Sequence, residues 1–148
     1  MNLTNSQEEY LKTIYILKNT INEIRVTDIA EKLNKSKASV NTAINTLKQS
    51  GFINYEPYGK IELTTYGEKE ATKIIEAYDI VKLFLSDIIE VKSENIEKEA
   101  KEIKTILSDD SLNKLAKYTH KTLGLHSLEC GYDINKTKCI KCAKRTKK

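Results

Sequence analysis

Residues 26–65, VTDIAEKLNKSKASVNTAINTLKQSGFINYEPYGKIELTT, decide the fold of this chain. Thr27 is placed to cap a helix of about two turns, Asp28-Ile29-Ala30-Glu31-Lys32-Leu33, and Asn34-Lys35-Ser36 supplies a tight turn with Ser36 as the next cap. Val40, Ile44 and Leu47 then recur at helical spacing in a second helix that runs to about Ser50 and stops at Gly51. Phe52-Ile53-Asn54-Tyr55 and Ile61-Glu62-Leu63 alternate like strands around Glu56-Pro57-Tyr58-Gly59-Lys60, where Pro and Gly favour a turn. Two short helices, a three-residue turn and a hairpin in this order spell a winged helix-turn-helix.

Working outward, Ser6 opens a helix to near Asn19, with Tyr10, Leu11, Ile14, Tyr15 and Leu17 apolar and Glu8 and Glu9 in the first turn, where the helix dipole favours acids. Thr65 begins a long helical pattern through Leu85 that is apolar on more than one face. Ser93 is read as the cap of a further helix with Ile96, Ala100, Ile103 and Leu107 inward, and Asp109 to Leu123 as another with Leu112, Leu115 and Tyr118 inward. The expected architecture is mainly α: a winged helix-turn-helix over 1–68, a helical dimerisation domain over 69–123 and a short Cys-rich basic tail over 124–148. No internal repeat is present, and the lysine-rich end after Ala143 reads as disordered.

Composition agrees with this reading. The chain has 148 residues, one proline, five glycines, no tryptophan and 31% charged side chains, a helical balance. No basic leader runs into an apolar stretch and no run is long enough to span a bilayer, so a cytoplasmic, membrane-free protein is expected. The net charge of +4 arises in residues 123–148, whose seven Lys/Arg against two Asp/Glu give +5, while residues 1–122 sum to −1. A neutral DNA-binding module must therefore gather its positive charge on one face. An enzyme is the weakest of the readings, and none is expected: there is no Gly-rich phosphate loop, no Ser-His-Asp order and only two histidines.

In a helix-turn-helix the second helix presents its N-terminal residues to base edges in the major groove. Here that helix offers Ser36, Lys37, Ser39, Asn41, Thr42 and Asn45. Lysine donates to guanine, asparagine pairs with adenine, and threonine brings a hydroxyl and a methyl. Phosphate contacts fall to Arg25, Lys35 and Lys48 near helix ends, and to Tyr58 and Lys60 at the wing tip. Small helical modules of this shape also serve as protein-interaction domains, so an interaction module without operator binding is the alternative.

The segments Glu8-Glu9-Tyr10-Leu11-Lys12-Thr13-Ile14-Tyr15, Val26 to Leu33, Ser39-Val40, Tyr55-Glu56-Pro57-Tyr58, Leu63-Thr64-Thr65-Tyr66-Gly67 and Phe84-Leu85 together resemble the diphtheria-toxin-repressor family of metal-dependent transcriptional regulators, particularly its short manganese-responsive branch. The resemblance spans residues 6 to about 118. It implies a homodimeric repressor that binds a palindromic operator in double-stranded DNA, with a metal site between the first helix and the dimerisation domain controlling affinity. That site does not carry over. Glu9 alone keeps a family ligand; the others fall on Lys12, Tyr78, Lys101, Lys104 and Thr105. A register slip would bring in Glu99 and Glu102 but leaves Ile103 in place of the histidine. Mn²⁺ or Fe²⁺ is therefore not expected there. Lys12, Lys101 or Lys104 either pair with Glu9 in the metal's stead, at about 0–1 kcal/mol per exposed pair, or are simply solvated.

His126, Cys130, Cys139 and Cys142 bring four soft or borderline ligands into seventeen residues, with knuckle spacing at Cys139-Ile-Lys-Cys142. They could fill a tetrahedral Zn²⁺ site, with His120 as a spare ligand. The rivals are an iron-sulfur cluster on the three cysteines and a set of reduced thiols holding nothing.

Overall fold

A computed structural model describes residues 3–92 and 94–124. Helix α1, Asn5–Lys18, starts from a reciprocal cap: the Gln7 backbone N–H donates to Thr4 Oγ1 at 3.2 Å and the Thr4 N–H donates to Gln7 Oε1 at 2.8 Å. Helix α2, Val26–Leu33, begins earlier than the sequence suggested. Arg25 takes the cap position, and its N–H donates to Asp28 Oδ2 at 2.8 Å. Thr27 is thus the second helical residue and not the cap, because the Asp28 carboxylate reaches back one turn to the donor that opens the helix. Asn34 closes α2 in the left-handed region at φ 53°, a conformation asparagine tolerates well.

Helix α3, Lys37–Gln49, is capped by Ser36, whose Oγ accepts the Ser39 N–H at 3.1 Å. Gly51, at φ 80°, ends it. Strands β1, Ile53–Tyr55, and β2, Ile61–Leu63, pair antiparallel with Ile53 opposite Leu63 and Tyr55 opposite Ile61. Ile24, just before α2, bridges Ile61, whose N–H donates to the Ile24 carbonyl at 2.8 Å. The wing is thereby tied to the entry of α2.

The hairpin reversal places Tyr58, and not Gly59, in the left-handed region, at φ 63°, while the Gly59 N–H donates to the Glu56 carbonyl at 2.8 Å. Helix α4, Thr65–Leu83, follows directly, with Thr64 Oγ1 accepting the Gly67 N–H at 3.0 Å. It widens into one π-helical turn, Phe84–Ile88. Helices α5, Ile96–Ile106, and α6, Asp109–Thr122, complete the described chain. Ser93 lies outside the described residues, and the position before α5 is held by Asn95.

The chain divides into two compact units, one through Ile74 and one from Ile75 onward. In the first, Leu11 and Ile14 of α1, Ile29 of α2, Val40, Ile44 and Leu47 of α3, and Phe52, Ile53 and Ile61 of the wing close one apolar core. Each large side chain buried there is worth about 1.5–3 kcal/mol. The buried Val40-Ile44-Leu47 stripe fixes the rotation of α3 about its axis, and so leaves Lys37, Asn41 and Asn45 on the outside.

In the second unit, Ala77, Ile80, Val81 and Leu85 pack with Ala100, Leu112 and Ala116. Here α6 departs from expectation: its buried face is Leu112, Ala116, Thr119 and His120, while Tyr118 is 57% exposed. Leu112, Ala116 and Thr119 recur at four- and three-residue spacing, and small Ala116 lets the helix sit close, which turns Tyr118 outward. No described helix is long and apolar enough to cross a membrane.

Candidate nucleic-acid interface

Helix α3, the start of α2 and the wing enclose a cleft of about 490 Å³ lined by Arg25, Val26, Thr27, Lys37, Asn41, Asn45, Tyr55, Pro57, Tyr58 and Gly59. Two cationic side chains line it and no carboxylate does, so it favours an anion. Lys37, Asn41 and Asn45 stand four residues apart on the exposed side of α3, one above another on a single helix face. Ser39, Thr42 and Lys48 are exposed on the same helix.

The hydrogen bonds assign these side chains different capacities. Tyr55 Oη donates to Asn41 Oδ1 at 3.5 Å, a long contact that steadies the Asn41 amide and leaves its NH₂ group to donate. Thr42 Oγ1 donates to the Ala38 carbonyl at 3.1 Å, so toward a ligand it keeps its methyl group and an accepting lone pair. Ser36 Oγ accepts from the Ser39 backbone and donates to Ser39 Oγ at 2.9 Å, making Ser36 primarily a cap.

Around the rim, Arg25 Nη1 donates to the Tyr58 carbonyl at 2.9 Å and Nη2 pairs with Glu23 at 3.2 Å. The guanidinium therefore clips the wing tip to α2, and the Tyr58 ring, 97% exposed, projects from that clip. Lys60 lies off the cleft and pairs with Glu62 at 2.8 Å; the hydrogen bond and the charge of Glu62 raise its pKa. Lys35 also sits away from the cleft, paired with Glu9 at 3.2 Å. Thr27, Tyr55 and Pro57 line the cleft without having been singled out from the sequence. Tyr55 shares the strand parity of buried Ile53, which points it at the core, and only the fold brings its Oη to Asn41 at the cleft.

The residues that the family resemblance sets at the metal positions are chemically ill-suited to a divalent ion. Glu9 is engaged by Lys35, an ammonium has no lone pair to give, and Lys12, Lys101 and Lys104 bring positive charge. Tyr78 is half-buried with its pKa raised, chiefly by burial and next by the Glu97 carboxylate, which keeps the phenol neutral and a weak ligand. Among the described residues no three His, Cys, Asp or Glu side chains gather as a metal site. His126, Cys130, Cys139 and Cys142 lie outside the described residues, and His120 is buried in α6.

Comparison with known proteins places residues 2–61 in the iron dependent repressor N-terminal DNA binding domain and residues 64–122 in the iron dependent repressor metal binding and dimerisation domain. An uncharacterized HTH-type transcriptional regulator of Methanocaldococcus jannaschii is 32% identical over 120 residues, 80% of this chain and 96% of its own. The transcriptional regulator MntR of Lysinibacillus sphaericus is 32% identical over 113 residues, 76% of this chain and 81% of its own. Among solved structures, T. acidophilum IdeR superposes with a TM-score of 0.66 at 26% identity over 84% of this chain, which spans 55% of the length of that relative. The metal-dependent regulator MtsR shares the fold with a TM-score of 0.71 at 22% identity, covering 82% of this chain and 55% of its own.

Proposed function

Because this chain belongs to the iron-dependent repressor family, whose members are DNA-binding transcriptional regulators and not enzymes, we propose that it is a sequence-specific repressor acting in the cytoplasm as a homodimer on a palindromic operator. The observation that carries this reading is the acid-free cleft in which Lys37, Asn41 and Asn45 of α3 face Arg25 and the wing. Lys37 donates to guanine O6 or N7, Asn41 and Asn45 match adenine N6 and N7, and Thr42 meets a thymine methyl. Ser39 and Lys48 stand beside them, and the Tyr58 ring and Lys60 supply the backbone side of the interface, with Ser36 and Lys35 setting the entry of α3.

The test is selection of DNA from a random-sequence pool by the purified protein, followed by fluorescence anisotropy across a salt series. A palindromic consensus and a steep fall in affinity with salt are expected. Asn41→Ala should cost about 1–3 kcal/mol on the consensus and much less on unrelated DNA. Equal, weak affinity for every sequence would sink the reading.

The family binds divalent metals, and relatives have been solved with bound manganese and zinc. In this chain His126, Cys130, Cys139 and Cys142 have the ligand count and softness for a structural Zn²⁺, and their basic surroundings favour thiolates. Elemental analysis of the purified protein tests this: one zinc per chain and no visible absorbance supports it, and a brown protein containing iron replaces it with an iron-sulfur cluster.

A further inference from the structure

Glu9 is the one acid this chain keeps at the family's metal positions, and a lysine from elsewhere in the same unit engages it. Lys35 Nζ lies 3.2 Å from Glu9 Oε2, across 26 residues of chain, and 4.9 Å from the centroid of the Tyr10 ring. Both partners are only about one-third exposed, at 35% and 32%, so the pair is partly withdrawn from water. Lys35 stands in the turn between α2 and α3, immediately before the cap Ser36. This ion pair joins α1 to the entry of the helix whose exposed face lines the cleft.

We propose that Lys35 is a built-in cation that neutralises Glu9 and positions the helix-turn-helix, so that DNA binding by this chain is indifferent to Mn²⁺ and Fe²⁺. The inference rests on the DNA-binding reading above. Three kinds of replacement support it. Lys12, Lys101 and Lys104 put ammonium groups where carboxylates or water-like donors are required, Tyr78 presents a neutral phenol, and Thr105 offers only a hydroxyl. A ligand with no differential affinity for two states cannot shift them, and an ion that is not bound has none. Lys35 is a positioning residue: its ammonium is directed at Glu9 and Tyr10, and it acts on DNA through the orientation of α3.

The experiment uses the full chain and the DNA fragment it selects from a random pool. Affinity in buffer freed of Mn²⁺ and Fe²⁺ without a chelator and in about 1 mM Mn²⁺ should agree within about twofold, whereas metal coupling of ordinary size would tighten binding about five- to 150-fold and overturn the proposal. A Mn²⁺ titration read by electron paramagnetic resonance, on protein with Cys130, Cys139 and Cys142 changed to Ser, should leave the six-line signal of the aqueous ion intact; its loss near one equivalent refutes the proposal. This arm stands whether or not the protein binds DNA, and absence of DNA binding in both buffers refutes the regulator reading instead.

The role of Lys35 is tested by sign. If it positions α3, Glu9→Gln and Lys35→Met each weaken DNA binding about two- to fivefold, the double variant is no weaker than either, and Lys35→Arg retains affinity. If Lys35 instead grips phosphate, Glu9→Gln releases it and strengthens binding, which overturns the assignment.

Discussion

Gly67→Ala should unfold this protein more readily even though it places a better helix former in a helix. Gly67 lies in the first turn of α4, where a Cβ would stand 1.9 Å from the Phe52 carbonyl oxygen and 2.8 Å from its carbon, against the 3.0 Å that real Cβ atoms respect. Phe52 cannot yield cheaply. Its side chain is 1% exposed in the core, and its carbonyl accepts the Thr64 N–H at 3.0 Å, with the Thr64 hydroxyl 3.1 Å away and donating more closely to the Gly51 carbonyl at 2.7 Å. Thr64 in turn caps α4 through the Gly67 N–H. Forcing the two backbones apart costs about 1–3 kcal/mol of overpacking, and weakening the Thr64 bonds adds about 1 kcal/mol. Against this, alanine gains about 1 kcal/mol of helix propensity over glycine. The net loss is about 1–3 kcal/mol, or about 2–12 °C in Tm. Urea unfolding followed by far-ultraviolet circular dichroism measures it, with exposed Lys69→Ala as a control that stays within about 0.5 kcal/mol. A Gly67→Ala protein as stable as the parent would show that the α4–Phe52 approach is not a constraint, and the reasoning would fail.

Three further outcomes follow from other parts of the molecule. Tyr58→Gly relieves a non-glycine residue at φ 63° and should raise stability by about 1 kcal/mol in thermal melts while weakening DNA binding through loss of the exposed ring; a fall in stability would contradict the strain. Tyr78 has its pKa raised above 10.0 by burial and then by Glu97, so its contribution is complete below pH 10.0 and is lost as pH rises through the higher folded value. Tyr78→Phe should flatten that alkaline fall in urea midpoints, and an unchanged profile would contradict it. Ile106 is a large apolar side chain 82% exposed in the second unit, and Ile106→Glu tests whether the subunit interface covers it: a folded monomer by light scattering is expected, and a dimer of unchanged affinity would put the interface elsewhere.

The elements read from the sequence follow from local signals. Ser36 caps α3, Gly51 ends it, and Val40, Ile44 and Leu47 are buried, because capping and helical periodicity act over a few residues. The misplaced features are competitions that local sequence leaves open. Both Thr27 and Asp28 can satisfy an opening N–H, and the extended backbone at Arg25 decides for Asp28. Tyr118 and Thr119 are neighbours on α6, and the packing of Ala116 decides which is buried. Of the residues lining the cleft, Lys37, Asn41 and Asn45 are legible because the buried stripe of α3 implies its opposite face.

Order, spacing and chemistry along the chain were enough to set the winged helix-turn-helix and the exposed face of α3, since each depends on residue identity within a turn or two of helix. Tertiary packing alone decided that Arg25 clips the Tyr58 carbonyl 33 residues away, that Lys35 finds Glu9 across 26, and that Gly67 must be glycine because Phe52 passes against it. Those pairings arise where the closed core brings distant backbone together. Their partners are chosen by the packing of Leu11, Ile14, Ile44 and Phe52, and no local rule acts over such separations.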